Sequence, residues 1–216
     1  VAWAADNATV FYVTEDEAKR PYRLWRHRPG LVGSDLVYEE TDQLFRIGVE
    51  RSRSRALLFL GAGSFTSSEW RYLPAHEPAA VWQMLTPREK DHEYAVDHGS
   101  YGGDDRFYIR SNGGGRRNFR LLSAPVGDPR PERFTELIAH RESVMLEDVE
   151  VFGGHYVTHE REQGLIRLRI TMLAGGMHHI EFPEPAYEVS ADANAEFDTR
   201  MYRFRYQSLI TPASVF

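Results

Sequence analysis

The chain has 216 residues, with 26 Lys plus Arg against 32 Asp plus Glu, a formal charge of −6 and no cysteine. That balance argues against a phosphate backbone as partner, which calls for a net basic face. It also leaves no disulfide or thiol chemistry, in keeping with a reducing, cytoplasmic setting. No apolar run approaches the roughly 20 residues a membrane-crossing helix needs, so no membrane partner is expected.

In chain order the sequence reads as short strands broken by turn residues. Val1–Asp6 is followed by TVFYVTED, an acidic hairpin tip at Glu15–Glu17, then PYRLWRH. A Pro/Gly-containing connection at His27–Asp35 leads to DLVYEE. LFRIGVERS and ALLFLGAG flank Arg51–Arg55 (RSRSR), which has no aromatic interleaving and reads as a charged turn. Gly61–Ser68 is expected to be a small-residue turn, with EWRYLPA and VWQMLT after it. HEYAVDH, RFYIRSN, NFRLLSAP and RFTELIAH come next, separated by the loop tips Ser100–Asp105 and Gly113–Arg117 and by the rigid Asp128–Pro131 connection. LEDVEVF then precedes His155–Arg161, Ile166–Leu173 and His178–Phe182, and the chain ends with Tyr187–Asp192 and Met201–Leu209. Val, Ile, Thr, Tyr and Phe dominate these runs, as suits a pleated surface.

A repeat organises them. Val13, Leu60, Ile109, Val157 and Arg205 occupy equivalent strands at intervals of about 48 residues, one strand precedes each, and two more follow each of the first four. Four strands in a period of this length are the signature of propeller blades. The expected fold is therefore all-β: an incomplete, open β-propeller of about four four-stranded antiparallel blades plus two strands of a fifth. The expected boundaries are 1–40, 41–87, 88–140, 141–183 and 184–216. Open sheet edges such as Met201–Leu209 are an aggregation hazard, so self-association is a possible partner mode.

Motifs for chemistry do not develop. Gly61–Gly63 with Ser64 lacks the helix and the Lys–Ser/Thr pair of a phosphate-cradling loop, and no G-x-S-x-G nucleophile elbow occurs. His155 and His159 stand four apart, but on a strand that is about 13 Å, too far for one zinc ion. His92 and His98 meet the same objection, and His178 and His179 point to opposite faces. No catalytic residue, metal or cofactor is expected.

The runs DHEY, FYIRSN, NFRLLSAPV, HYVTHERE, IEFPEPAYEVS and RFRYQSLITPASVF closely resemble the oligopeptidase B group of the prolyl oligopeptidase family of serine peptidases. The resemblance implies a seven-bladed propeller capping an α/β-hydrolase domain, with this chain as the latter part of the propeller. It places the Ser, Asp and His triad on the hydrolase partner, so the chain alone is expected to be inactive. The implied role is to gate access for short peptides cleaved after basic residues. The residues implied to lie nearest the domain interface or hinge are Arg203, Arg205, Tyr206, Ser208, Thr211 and Pro212. A self-contained propeller used as a protein-interaction scaffold is the alternative; it is expected to close its ring by pairing terminal strands.

Overall fold

A computed structural model describes residues 1–216. Nineteen strands form five antiparallel sheets. The first contains β1 (Ala2–Trp3), β2 (Val10–Glu15), β3 (Pro21–His27) and β4 (Asp35–Glu39). The second contains β5 (Arg46–Arg51), β6 (Leu57–Gly63), β7 (Ser68–Pro74) and β8 (Gln83–Thr86). The third contains β9 (Tyr94–Tyr101), β10 (Asp104–Ser111), β11 (Arg120–Pro125) and β12 (Thr135–Ile138), with one 3-10 turn at Pro131–Arg133. The fourth contains β13 (Val144–Val151), β14 (His155–Glu162), β15 (Leu165–Met172) and β16 (Met177–His179). The fifth contains β17 (Tyr187–Ala191), β18 (Phe204–Ser208) and β19 (Ser214–Val215).

Within every sheet the strands pair in sequence order, a meander, and no ladder joins the fifth sheet to the first. The five repeat landmarks all fall on second strands: Val13 on β2, Leu60 on β6, Ile109 on β10, Val157 on β14 and Arg205 on β18. A register shift recurs between third and fourth strands, at Leu24/Trp25, Trp70/Arg71 and Leu121/Leu122. Such bulges raise the local twist of each blade's outer edge.

Three local expectations are corrected. The fifth sheet has a third strand, β19, which pairs Arg205 with Val215 and Tyr206 with Ser214. Gly61–Gly63 are not turn residues but the end of β6, and the turn is confined to Ser64–Ser67. Gly61 is there because the Trp70 ring lies over it; a Cβ would meet that ring at 3.0 Å. Ser100–Asp105 does hold a loop tip, but a shorter one than the six residues read from the sequence. β9 and β10 run to within two residues of each other, and Gly102 and Gly103, at φ 60 and 84, form the whole turn. A two-residue hairpin turn with positive φ at both positions matches the twist of its strands.

The cores lie between sheets rather than within them. One cluster joins the first and second sheets through Phe11, Leu24, Ile47, Leu58, Leu60 and Leu73. The next joins the second and third through Phe59, Tyr72, Val96, Phe107, Ile109 and Leu122. A third joins the third and fourth through Tyr108, Leu121, Leu146, Val151 and Tyr156. A fourth, smaller one holds Leu168 of β15 against Val189 and Tyr206 of the last sheet. Strand alternation explains the pattern: Leu58 and Leu60 face one neighbour while Leu57 and Phe59 face the other. That is why ALLFL is apolar without a break.

Close packing between blades reaches the backbone at Gly99 on β9. A Cβ there would lie 2.7 Å from Val151 Cγ1 of the next sheet and 2.8 Å from the Tyr108 ring. Gly99→Ala is therefore expected to cost about 1–3 kcal/mol through overpacking. Gly63→Ala, where no atom approaches within 4 Å, should stay within about 0.5 kcal/mol. Urea unfolding of the two variants checks this; equal midpoints would contradict the inter-sheet contact.

Candidate functional site at the axial face

The sequence-derived interface residues separate into three environments. Arg203, just before β18, and Arg205, on β18, are both exposed. Arg205 Nε donates to Asp192 Oδ1 at 3.0 Å, and this pairing holds the Asp192 carboxyl below its usual value. Tyr206 is buried on the opposite side, stacked on Phe182 at 5.1 Å. Its hydroxyl donates to Glu184, and burial together with that bond pushes the phenol up to about 12. Ser208 and Thr211 close the β18–β19 turn, with Ser208 Oγ accepting from Thr211 N at 2.9 Å. Thr211 Oγ1 donates to Glu184 Oε1 at 2.6 Å, so Glu184 ties the turn to the Tyr206 hydroxyl. Pro212 is exposed just beyond.

A second constellation was not legible in the sequence. Side chains of the first strands β5, β9 and β13, with part of the segment after β17, surround a cavity of about 550 Å³. Its wall includes Glu50, Arg53, Asp97, Arg110, Glu150 and Asn194. Arg53 belongs to the RSRSR segment, which is a turn as read; Arg51 donates to Arg55 O at 2.8 and 3.0 Å across it. Arg53 itself reaches past the third sheet to the fourth. It pairs with Glu150 Oε2 at 2.7 Å, donates to Val151 O at 3.0 Å, and lies over the Phe152 ring at 4.3 Å. From the third sheet Asp97 Oδ2 accepts the Val151 N–H at 3.1 Å. From the fifth, the Tyr202 hydroxyl donates to Glu150 Oε1 at 2.5 Å. Four sheets thus converge on Glu150–Phe152.

The electrostatics follow from who pairs with whom. Burial alone would raise the Glu150 carboxyl, but His159, Tyr202 and Arg53 hold it below its usual value. The Tyr202 phenol is raised by burial and by that same carboxylate. Since Tyr202 gives its proton to Glu150, His159 must donate from Nε2 to the Tyr202 oxygen, 2.8 Å away. Glu50, at the rim, is raised by desolvation. Asp97 is largely buried; desolvation raises it to about 6, against the opposing bonds from His98 N and Val151 N and the nearby Arg53.

Two further buried carboxylates are each held by paired donors. Glu40, 3% exposed, takes Arg88 at 2.6 Å from beyond β8 and the Tyr38 hydroxyl at 2.9 Å. Glu160, 2% exposed, is held by Arg169 at 2.6 Å and Arg141 at 2.7 Å. Two of the histidines are absorbed in packing: His155 stacks on Phe152 at 4.6 Å, and His98 is fully enclosed with Nδ1 at 2.7 Å from Ser54 Oγ. Asp105 is 4.0 Å from His98 Nε2, too far for a hydrogen bond. Ser54, His98 and Asp105 therefore hold a turn and do not form a relay. No group of three or more His, Asp or Glu side chains is disposed to hold a metal ion.

Comparison with known proteins places this arrangement. Residues 1–216 match the family described as prolyl oligopeptidase, N-terminal beta-propeller domain. The chain belongs to that family. It is 36% identical over its whole length to dipeptidyl aminopeptidase BI of Pseudoxanthomonas mexicana and 29% identical over 99% of its length to protease 2 of Moraxella lacunata. It spans 30% of each of those relatives. Among solved structures it superposes on oligopeptidase B from Leishmania major with a TM-score of 0.90, at 29% identity, covering the whole chain and 31% of that protein. Oligopeptidase B from Trypanosoma brucei, in a closed form with covalently bound antipain, gives the same TM-score at 28% identity. All five sheets of this prolyl oligopeptidase-family propeller segment fall within the match.

Because the folded-state pKa of Asp97 lies above its ordinary 3.8, the folded state holds that proton more tightly than the unfolded chain. Its contribution to stability is greatest at low pH and is lost as pH rises from 3.8 through about 6, a loss on the order of 3 kcal/mol. NMR titration of the Asp97 side-chain carboxyl carbon should give a midpoint near pH 6. An ordinary carboxylate midpoint would show that the axial cavity admits water freely to this group.

Proposed function

We propose that this chain is the gating propeller portion of a serine oligopeptidase. In this reading the catalytic Ser, Asp and His lie on a hydrolase domain packed against the propeller. The propeller limits entry to short peptides that are cut after basic residues. The supporting observation is the match over residues 1–216 to the family's propeller, together with the TM-score of 0.90 to oligopeptidase B from L. major. Overall charge agrees with a basic substrate at −6, while the axial cavity itself is mixed, with Glu50, Asp97, Asp148 and Glu150 beside Arg51, Arg53 and Arg110. Long-range steering of this kind is weak and salt-sensitive. The cytoplasm, where peptides of this size arise as degradation products, is the compartment we assign.

Arg203, Arg205, Tyr206, Ser208, Thr211 and Pro212 are the residues we place nearest the hinge. Two features support that placement. The β18–β19 turn is tied down through Glu184, and it carries Leu209 and Ile210 at 95% and 82% exposure. Such a turn offers an apolar contact to a neighbouring domain.

The relative named dipeptidyl aminopeptidase, at 36% identity, favours a second reading in which the whole protein releases dipeptides from peptide N-termini. Product analysis on a short basic peptide separates the two: cuts after internal Arg or Lys support the first, and successive dipeptides support the second.

Purified residues 1–216 should not turn over an arginyl or lysyl amide reporter. Turnover that a serine-directed reagent abolishes would overturn the placement of the triad. In the full-length polypeptide, a short basic peptide should be cleaved and the same sequence within a folded protein spared. Equal cleavage of both would overturn gating.

A further inference from the structure

The first strand of each sheet joins the second by a short turn, such as Gly102–Gly103 or Phe152–Gly154, except in the fifth. There the connection is Asp192–Arg203, much the longest of its kind. It runs back over the axial face, and Ala193, Asn194 and Ala195 form part of the cavity wall. We propose that Asp192–Arg203 is a movable strap over the axial cavity, latched to the fourth sheet by Tyr202, and that its release sets the peptide length the gate admits. The second part of this rests on the gating function proposed above.

The strap is built to move as a unit. Asn194, 8% exposed, pinches its two ends together: Nδ2 donates to Asp192 O at 3.0 Å and Arg203 O at 2.9 Å, while Oδ1 accepts from Arg203 N at 2.8 Å. Beyond this neck the strap buries little. Ala193, Ala195, Glu196, Asp198, Arg200 and Met201 are all exposed. A segment with so few buried apolar contacts lies at the low end of local stability.

Its attachments to the fourth sheet are few and mostly polar. Phe197 O accepts the Gly153 N–H at 2.9 Å. A Cβ at Gly153 would meet the Asp198 carboxylate and lie 3.4 Å from the Phe197 ring. At the other contact, the Tyr202 hydroxyl donates to Glu150 and accepts from His159, with its ring edge against Phe152 at 6.0 Å. Glu150 is in turn fixed by Arg53 from the second sheet. The latch therefore reports on the spacing of the second, fourth and fifth sheets at once. A change in that spacing shifts the Glu150 carboxylate relative to Tyr202 and weakens a bond that depends on a short distance.

The test compares Tyr202→Phe with Tyr187→Phe in the full-length polypeptide. Tyr187→Phe removes a different hydroxyl bond in the same sheet, to Ile166 O at 3.0 Å. Hydrogen–deuterium exchange over 193–200 should rise about tenfold in Tyr202→Phe, as expected for loss of a charge-assisted bond. It should be unchanged in Tyr187→Phe, with β14 within twofold in both. Glu150→Gln, should Tyr202→Phe not fold, is expected to free the same segment. In the same variant the ratio of kcat/KM for a long basic peptide to that for a short amide reporter should change at least threefold, with the reporter within twofold of wild type. Unchanged strap exchange overturns the latch. A freed strap with an unchanged long-to-short ratio overturns its role in length selection; failure of gating itself is read separately, from cleavage of the folded protein by the wild-type polypeptide.

Discussion

The second, third and fourth sheets each have two apolar faces and no means of covering either alone. Phe59 and Leu60 are neighbours on β6, yet one is buried against the third sheet and the other against the first. The constraint that follows is radial. A sheet flanked by like sheets on both sides buries both faces, and the right-handed twist of each sheet turns the stack into an arc. The four inter-sheet clusters are the core, and no fifth, central core exists. Gly99 marks a point where this packing reaches the backbone, under the valine of the adjacent sheet.

Polar groups do a different task between the same sheets. Apolar faces slide easily, whereas a buried carboxylate with two defined donors fixes one relative position. Glu40, which takes Arg88 from beyond β8 as well as the Tyr38 hydroxyl of its own sheet, is of this kind. Such pairs contribute little net stability after desolvation, but removing one partner leaves a buried charge at a cost of about 3–5 kcal/mol. Their effect is to make the arc a body of set geometry. The node at Glu150–Phe152 extends this to four sheets, with Val151 and Phe152 in the packed interior and Glu150 at the cavity wall.

On the gating reading proposed above, the propeller needs both properties: rigid walls, and some part near the axis able to give way. The walls come from strands buried on both faces. The yielding part is the one connection that is long, exposed and held by a handful of polar contacts. Placing Tyr202 of that connection on the carboxylate that Arg53 also holds couples the local contact to the spacing of sheets far apart in sequence. Asp97 belongs to the same node, and its raised pKa reflects how little water reaches a carboxyl held there between two backbone N–H groups.

What the sequence determined was periodic: strand types from β-branched and aromatic runs, hairpins from glycine pairs, and the blade from landmarks recurring at about 48 residues. Those signals are local or repeat along the chain, so Val13, Leu60, Ile109, Val157 and Arg205 could be aligned without coordinates. Family membership was readable too, because it resides in contiguous blocks such as RFRYQSLITPASVF. The resemblance that suggested six interface residues could not say that Tyr206 points inward, that Arg205 pairs with Asp192, or that Ser208 and Thr211 are bound to a turn. RSRSR looked like any charged turn; only the tertiary structure decided that Arg53 crosses to Glu150, 97 residues away. Partnership across that distance depends on how far each sheet rotates about the axis, and no residue pattern along the chain encodes that rotation. The short apolar-poor strand β19 was invisible for the related reason that its pairing comes from closure of the Glu184-braced turn and not from its own composition.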